Sequence, residues 1–181
     1  MSTLTIYQDT VPETPVLQTQ DLAEIASQLR PLGVRFERWE GPKIPPRSAD
    51  AETVLATYRP FLDKLMGETG AGSADVMQVN PSTPNLPALR AKFLSEHTHS
   101  EDEVRFFVHG SGHFILHVAD KIYDVECTQT DLISVPEGTK HWFDAGPAPD
   151  VVALRIFTRK EGWIADYTGT DLATRFMAYD Q

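Results

Sequence analysis

The chain predicts a mainly β fold with helices gathered ahead of it, the strands pairing antiparallel as a sandwich or barrel. Three observations carry that expectation. From Val104 onward the apolar residues fall into short runs bounded by turn residues, spaced about eight to twelve residues apart. Up to about residue 95, helical spacing, alanine and proline dominate instead. His109-Gly110-Ser111-Gly112 and Ala119-Asp120-Lys121 have the composition of hairpin turns that join neighbouring strands.

Taken in order, a short strand is expected around Leu4-Thr5-Ile6-Tyr7. A helix follows, opening at Thr19 or Asp21 and carrying Leu22, Ile25, Ala26 and Leu29 on one face until Pro31 and Gly33 stop it. Val34 to Trp39 reads as a strand, and Pro42, Pro45 and Pro46 mark a loop. A second helix, about Asp50 to Gly67, presents Val54, Leu55, Tyr58, Leu62 and Leu65, with Pro60 expected to kink or split it. A third, Leu86 to about Ser95, shows Leu86, Leu89, Phe93 and Leu94 and delivers the chain to His97. The strands expected thereafter are Val104 to His109, Gly112 to Val118, Lys121 to Cys127, Asp131 to Val135, His141 to Asp144 and Val151 to Thr158. Asp171 to Met177, with Leu172, Phe176 and Met177 apolar, reads as a short packing helix.

At 181 residues and 41% hydrophobic content, the chain can bury one core, so a single domain over 1–181 is expected. Within it, 1–95 is a helical N-terminal decoration, 96–165 a metal-binding β core and 166–181 a C-terminal extension. A net charge of −10 without any basic cluster argues against nucleic acid and anionic membranes as partners. No apolar run approaches the roughly 20 residues of a membrane span, and no leader pattern opens the chain, so a cytoplasmic protein is expected. The lone Cys127 reads as a packed thiol. No long apolar strip is left without an intramolecular use, which favours a monomer.

The chemistry concentrates in His97-Thr98-His99-Ser100-Glu101-Asp102-Glu103, followed by His141. Three imidazoles and a carboxylate, without thiolate, suit divalent iron, nickel, manganese or zinc. Residues two apart on a strand share a face, so His97 and His99 point together, and Glu101 and Glu103 both have the parity to join them. Only a turn or bulge decides between the two carboxylates. The same parity places Arg105 and Phe107 inward behind Glu103, a permanent cation beside a metal pocket. Pro136-Glu137-Gly138-Thr139 forms a turn that sets His141 at the entry to its strand. His109, His113 and His117 have no spacing that ties them to this cluster and read as satisfied or surface histidines.

The two blocks resemble the paired motifs of the cupin superfamily: His97, His99 and Glu103 with Gly110 behind them, then Pro136, Gly138 and His141. Ala91 replaces the usual glycine before the first motif, and Ala145 the usual asparagine after the second. More specifically, Gly33 to Trp39, Glu96 to Phe107, Asp131 to Pro136, His141 to Asp144, Arg155 to Phe157 and Glu161 to Ala165 resemble the acireductone dioxygenase family of the methionine salvage pathway. The resemblance implies a cupin double-stranded β-helix, or jelly roll, decorated by N-terminal helices. It implies one ferrous or nickel ion per chain, bound by His97, His99, Glu103 and His141. The implied substrates are dioxygen and 1,2-dihydroxy-5-(methylthio)pent-1-en-3-one. With iron the family's products are 4-methylthio-2-oxobutanoate and formate; with nickel they are 3-methylthiopropanoate, formate and carbon monoxide.

By matching position, Arg105 becomes the catalytic cation that favours the substrate dianion. The family gives Glu96 a part in metal incorporation and Asp102 one in relaying conformational change. Phe93, Phe143 and Trp163 are expected to wall an apolar pocket, and Arg155 either lines its mouth or pairs with a surface carboxylate. Two other readings compete. Another cupin dioxygenase or isomerase would keep the ligands but not need Arg105, and a non-catalytic ligand-binding cupin would usually come with a DNA-binding region, for which the front helices lack a basic face.

Overall fold

Alternation of apolar residues on consecutive strands leaves one face of each to bury, and two sheets satisfy that by packing together. The structure, a computed structural model, describes residues 1–158 and 164–179. Its strands are β1 (Thr3–Gln8), β2 (Val11–Thr19), β3 (Arg35–Arg38), β4 (Ser73–Val79), β5 (His97–Thr98), β6 (Glu103–His109), β7 (Gly112–Val118), β8 (Lys121–Cys127), β9 (Asp131–Val135), β10 (Lys140–Asp144), β11 (Val151–Phe157) and β12 (Asp166–Tyr167). The helices are α1 (Leu22–Leu29), α2 (Ala51–Thr69) and α3 (Leu86–Phe93). One sheet runs β12-β5-β10-β7-β8-β1-β2 and the other β3-β9-β6-β11-β4, with every pairing antiparallel.

The inner faces meet in a core that joins Leu4, Phe114, Leu116 and Val125 of the first sheet to Phe107, Ile133, Val135 and Ala153 of the second. This is the mainly β, double-stranded β-helix expected. The outer face of the second sheet is covered by α2, whose Val54, Tyr58, Leu62 and Leu65 pack on Val104, Phe106, Leu132 and Leu154. Each such side chain contributes about 1.5–3 kcal/mol by leaving water. Across the outer face of the first sheet lies the C-terminal segment, where Leu172, Ala173 and Phe176 cover Ile115, Ile122 and Trp142.

Asp21 caps α1 by accepting from the backbone N–H groups of Ala23 and Glu24 at 2.8 and 3.0 Å. Gly33, at φ +75°, turns the chain out of the following single 3₁₀ turn into β3. Two expectations are corrected. Pro60 does not split α2 into two helices; both it and Ala56, whose carbonyl loses its donor, are exposed residues of one continuous helix. Ahead of residue 96, β1 and β3 lie where strands were expected, whereas β2 and β4 join the sheets without having been expected. The short packing helix expected over Asp171 to Met177 is present as a 3₁₀ helix, Leu172–Arg175.

Candidate metal centre

Three strands bring the four candidate ligands together. His97 lies on β5, directly across from His141 on β10, and His99 follows just beyond β5. The chain then turns through Ser100 and Glu101 before β6 begins at Glu103. That turn decides the carboxylate. Glu101 swings away to the end of β11, where its Oε2 accepts from the Thr158 backbone N–H at 3.0 Å and from the Thr158 hydroxyl. Glu103 returns to the histidines. Two further bonds lace the turn to the one before β10: the Gly138 N–H donates to the His99 carbonyl at 2.9 Å, and the Glu137 N–H to Asp102 Oδ1 at 3.0 Å.

One donor atom from each of His97, His99, Glu103 and His141 lies within 4.8 Å of the others, and all four residues are buried. The rings are oriented by backbone. Nδ1 of His97 donates to the Ser95 carbonyl at 2.7 Å, that of His99 to Ile164 at 2.9 Å and that of His141 to Thr139 at 2.8 Å. A proton held on Nδ1 leaves Nε2 with its lone pair directed inward, the tautomer a metal needs. Glu103 Oε2 sits 2.8 Å from His141 Nε2 and 3.2 Å from His99 Nε2. Two lone pairs and a carboxylate oxygen at those distances repel unless a positive species, a metal ion or a proton, lies among them. The donor set therefore fits a divalent cation.

Charge at the centre follows from burial and neighbours. Burial, then the His141 ring, lowers the His97 pKa to about 4. Burial also works against a charged His99, but the hydrogen bond and charge of Glu103 outweigh it and raise its pKa. For Glu103 burial favours the neutral acid, yet Arg105 and the two imidazoles hold the carboxyl well below the usual carboxylate range.

Arg105 Nη2 lies 2.8 Å from Glu103 Oε1, and its Nη1 meets Met77 Sδ at 3.4 Å. The guanidinium lies over Phe143, 4.9 Å from the ring centroid, and 5.3 Å from that of Phe114. Burial lowers its pKa against the opposing charge of Glu103. Gly112 makes room for this stack, because a Cβ there would collide with the Phe143 ring.

The cavity at the centre holds about 170 Å³ and is lined by Leu89, Lys92, Phe93, His97, His99, Glu103, Arg105, His141, Phe143, Arg155, Ala165 and Tyr167. That is below the roughly 300–1,000 Å³ of pockets for drug-sized molecules, so it suits a small ligand. Phe93 and Phe143 form one wall, edge to face with centroids 5.9 Å apart. Arg155 does both things considered for it: it lines the cavity, and its Nε and Nη2 bond Asp75 at 2.7 and 2.6 Å. Trp163 lies outside the described residues.

Glu96 turns from the cluster. It pairs with His117 Nδ1 at 2.8 Å and accepts from the Thr168 hydroxyl at 2.6 Å, tying β5 to β7 and the C-terminal segment. His113 pairs with Asp124 at 2.7 Å, and His109 Nε2 donates to the Pro45 carbonyl at 2.7 Å, so all three remaining histidines are satisfied away from the centre. Lys92 and Tyr167 were not among the expected site residues. Lys92 shares a helix face with Leu89 and Phe93, a phase that the sequence does contain. Tyr167 pairs across from His97 through β12, a strand too short to leave a pattern.

Three imidazoles and one carboxylate facing one another inside a jelly roll define a divalent-metal enzyme of the cupin class. The ARD/ARD′ family profile matches residues 3–165. Acireductone dioxygenase from Gluconacetobacter diazotrophicus is 68% identical over 97% of this chain and 98% of its own, and that from Gluconobacter oxydans 65% over 98% and 95%. A structure of acireductone dioxygenase from Bacillus anthracis, with a cadmium ion in its active centre, superposes with a TM-score of 0.82 at 34% identity, covering 92% of this chain and 98% of that one. The chain belongs to the ARD/ARD′ family, the acireductone dioxygenases. It is a metal-dependent dioxygenase, and its co-substrate is dioxygen.

Proposed function

We propose that this enzyme cleaves 1,2-dihydroxy-5-(methylthio)pent-1-en-3-one with dioxygen in methionine salvage, using one ferrous or nickel ion per chain held by His97, His99, Glu103 and His141. The observation that carries the reading is the juxtaposition of this donor set with Arg105, a buried cation 2.8 Å from the ligand carboxylate in a small apolar-walled cavity. A metal ion held by these four residues would supply Lewis acidity that stabilises negative charge on the enediolate oxygens.

The side chains do the rest. Arg105 neither gives nor takes a proton near neutral pH; its fixed charge favours loss of the enediol's second proton and holds the dianion. Its position is set by Glu103 and by the Phe143 ring over which it lies. Phe93 and Phe143, with Trp163 as the resemblance's third member, receive the methylthio tail and exclude water. Arg155 stands at the mouth, braced by Asp75. Glu96 and Asp102 act at one remove, Glu96 by fixing the strand that carries His97 and Asp102 by fixing the turn that carries Glu103.

On this reading iron gives 4-methylthio-2-oxobutanoate and formate, whereas nickel gives 3-methylthiopropanoate, formate and carbon monoxide. Both product sets retain every atom of substrate and dioxygen. The proposed working unit is a monomer. The proposed site of action is the cytoplasm; no described helix is long and apolar enough to cross a membrane. The test is dioxygen uptake with the acireductone by metal-stripped and metal-loaded protein. Uptake matched one to one by formate, in the loaded protein only, is expected; no substrate-dependent uptake would overturn the reading.

A further inference from the structure

Among the described residues, three cations line the metal cavity, and they are not equivalent. Arg105 faces Glu103 at 2.8 Å, and Arg155 is held by both oxygens of Asp75. Lys92 is exposed, on the last turn of α3, and among the described residues it has no carboxylate partner. Its helix neighbour Arg90 points elsewhere, to the buried Asp144 at 3.2 Å. Leu89 and Phe93, one turn apart on the same face as Lys92, pack toward the core and fix the helix against the cavity wall. Among the described residues, Lys92 thus presents an exposed positive charge without a carboxylate partner on the cavity lining.

That placement matters because the whole chain carries a net charge of −10, a field that repels anions. A substrate that arrives as an enediolate needs a local reversal of that field. We infer that Lys92 is a positioning residue that attracts the anionic substrate to the cavity mouth and orients it toward the metal. The inference rests on the reading above, since it requires an anionic substrate at this centre.

The experiment compares metal-loaded parent, Lys92→Gln, Lys92→Glu and Lys92→Arg. It reads kcat and kcat/KM for the acireductone at saturating dioxygen over a range of ionic strength, and anaerobic titration gives the substrate Kd. Gln and Arg both keep helix propensity close to that of Lys, so the helix is preserved. Lys92→Glu is expected to lower kcat/KM about ten-fold at low salt, with kcat within about two-fold, and the deficit should shrink as salt screens the charge. Kd should weaken in parallel, Lys92→Gln should fall between, and Lys92→Arg should match the parent. Equal salt slopes in parent and Lys92→Glu would overturn the inference while leaving the enzyme's function standing. A parent that neither binds nor turns over the acireductone would remove both.

Discussion

Glu103 and Arg105 form a buried ion pair, 2.8 Å from Oε1 to Nη2, in which the carboxylate's other oxygen faces two imidazoles. One residue of the pair is the proposed metal ligand and the other the proposed catalytic cation. Without a metal, each depends on its partner to offset the cost of burial. Glu103→Gln should therefore destabilise the metal-free protein by about 3–5 kcal/mol, because a buried guanidinium loses the carboxylate that opposes its charge. Replacing both residues, as Glu103→Gln with Arg105→Met, should cost less than the two single changes added together. Chemical denaturation of the metal-free variants measures that difference, and strict additivity would contradict the coupling.

Arg105→Ala should retain the metal and lose turnover. All four donors remain, but the charge that favours the dianion is gone, a loss of about 10²–10³ in kcat on the scale of other preorganised electrostatic groups. Metal analysis alongside steady-state rates checks both halves. Turnover near that of the parent would sink the assigned role.

His99→Ala should lower metal occupancy and with it the stabilisation that metal gives the fold. Adding ferrous or nickel ion at about 100 times its Kd should stabilise the parent by about 2.7 kcal/mol. The variant should show a much smaller rise in Tm under the same conditions. An unchanged rise would mean that another residue completes the site.

Gly112→Ala should disturb the site without touching a ligand. The added methyl group collides with the Phe143 ring, over which the Arg105 guanidinium lies. Reduced kcat with normal metal content is the expected result. Activity equal to the parent's would show that the ring can move without consequence.

His113 supplies a pH test away from the metal. Burial disfavours its charged form, but the hydrogen bond and charge of Asp124, helped by Glu126 and Asp144, outweigh that and raise its pKa above 6.5. A pKa raised by folding adds stability that is fully present below the unfolded value and is lost as pH climbs through the folded value. Stability of the parent should thus carry a component that declines on going from about pH 6 upward through neutrality. Asp124→Asn should remove that component, and denaturation midpoints across the range would show it; identical profiles would contradict the assignment.

Much of this was legible in the sequence. The strands from Val104 to Phe157 announce themselves because Gly, Asp and Pro turns bound short alternating runs, and the structure moves their ends by a residue at most. The strand β2 leaves little strand signal because it contains Pro12 and Pro15; as the outermost strand of its sheet it tolerates them. The strand β4 lies behind Gly70-Ala71-Gly72, and only Met77 and Val79 along it are well buried, so no clear alternation marks it. At the site, parity left Glu101 and Glu103 tied, because a period of two cannot register the turn at Ser100-Glu101. The partner of Glu101 is Thr158, 57 residues away, and long-range pairing of that kind leaves no trace in local spacing.

The most direct test is to strip the metal anaerobically, reload separate samples with ferrous iron and with nickel, and quantify formate, carbon monoxide and the organic acids formed from the acireductone and dioxygen. The account predicts formate from both samples, the ketoacid from the iron form, and carbon monoxide with 3-methylthiopropanoate from the nickel form alone. Identical products from the two metals, or no substrate-dependent product from either, would contradict it.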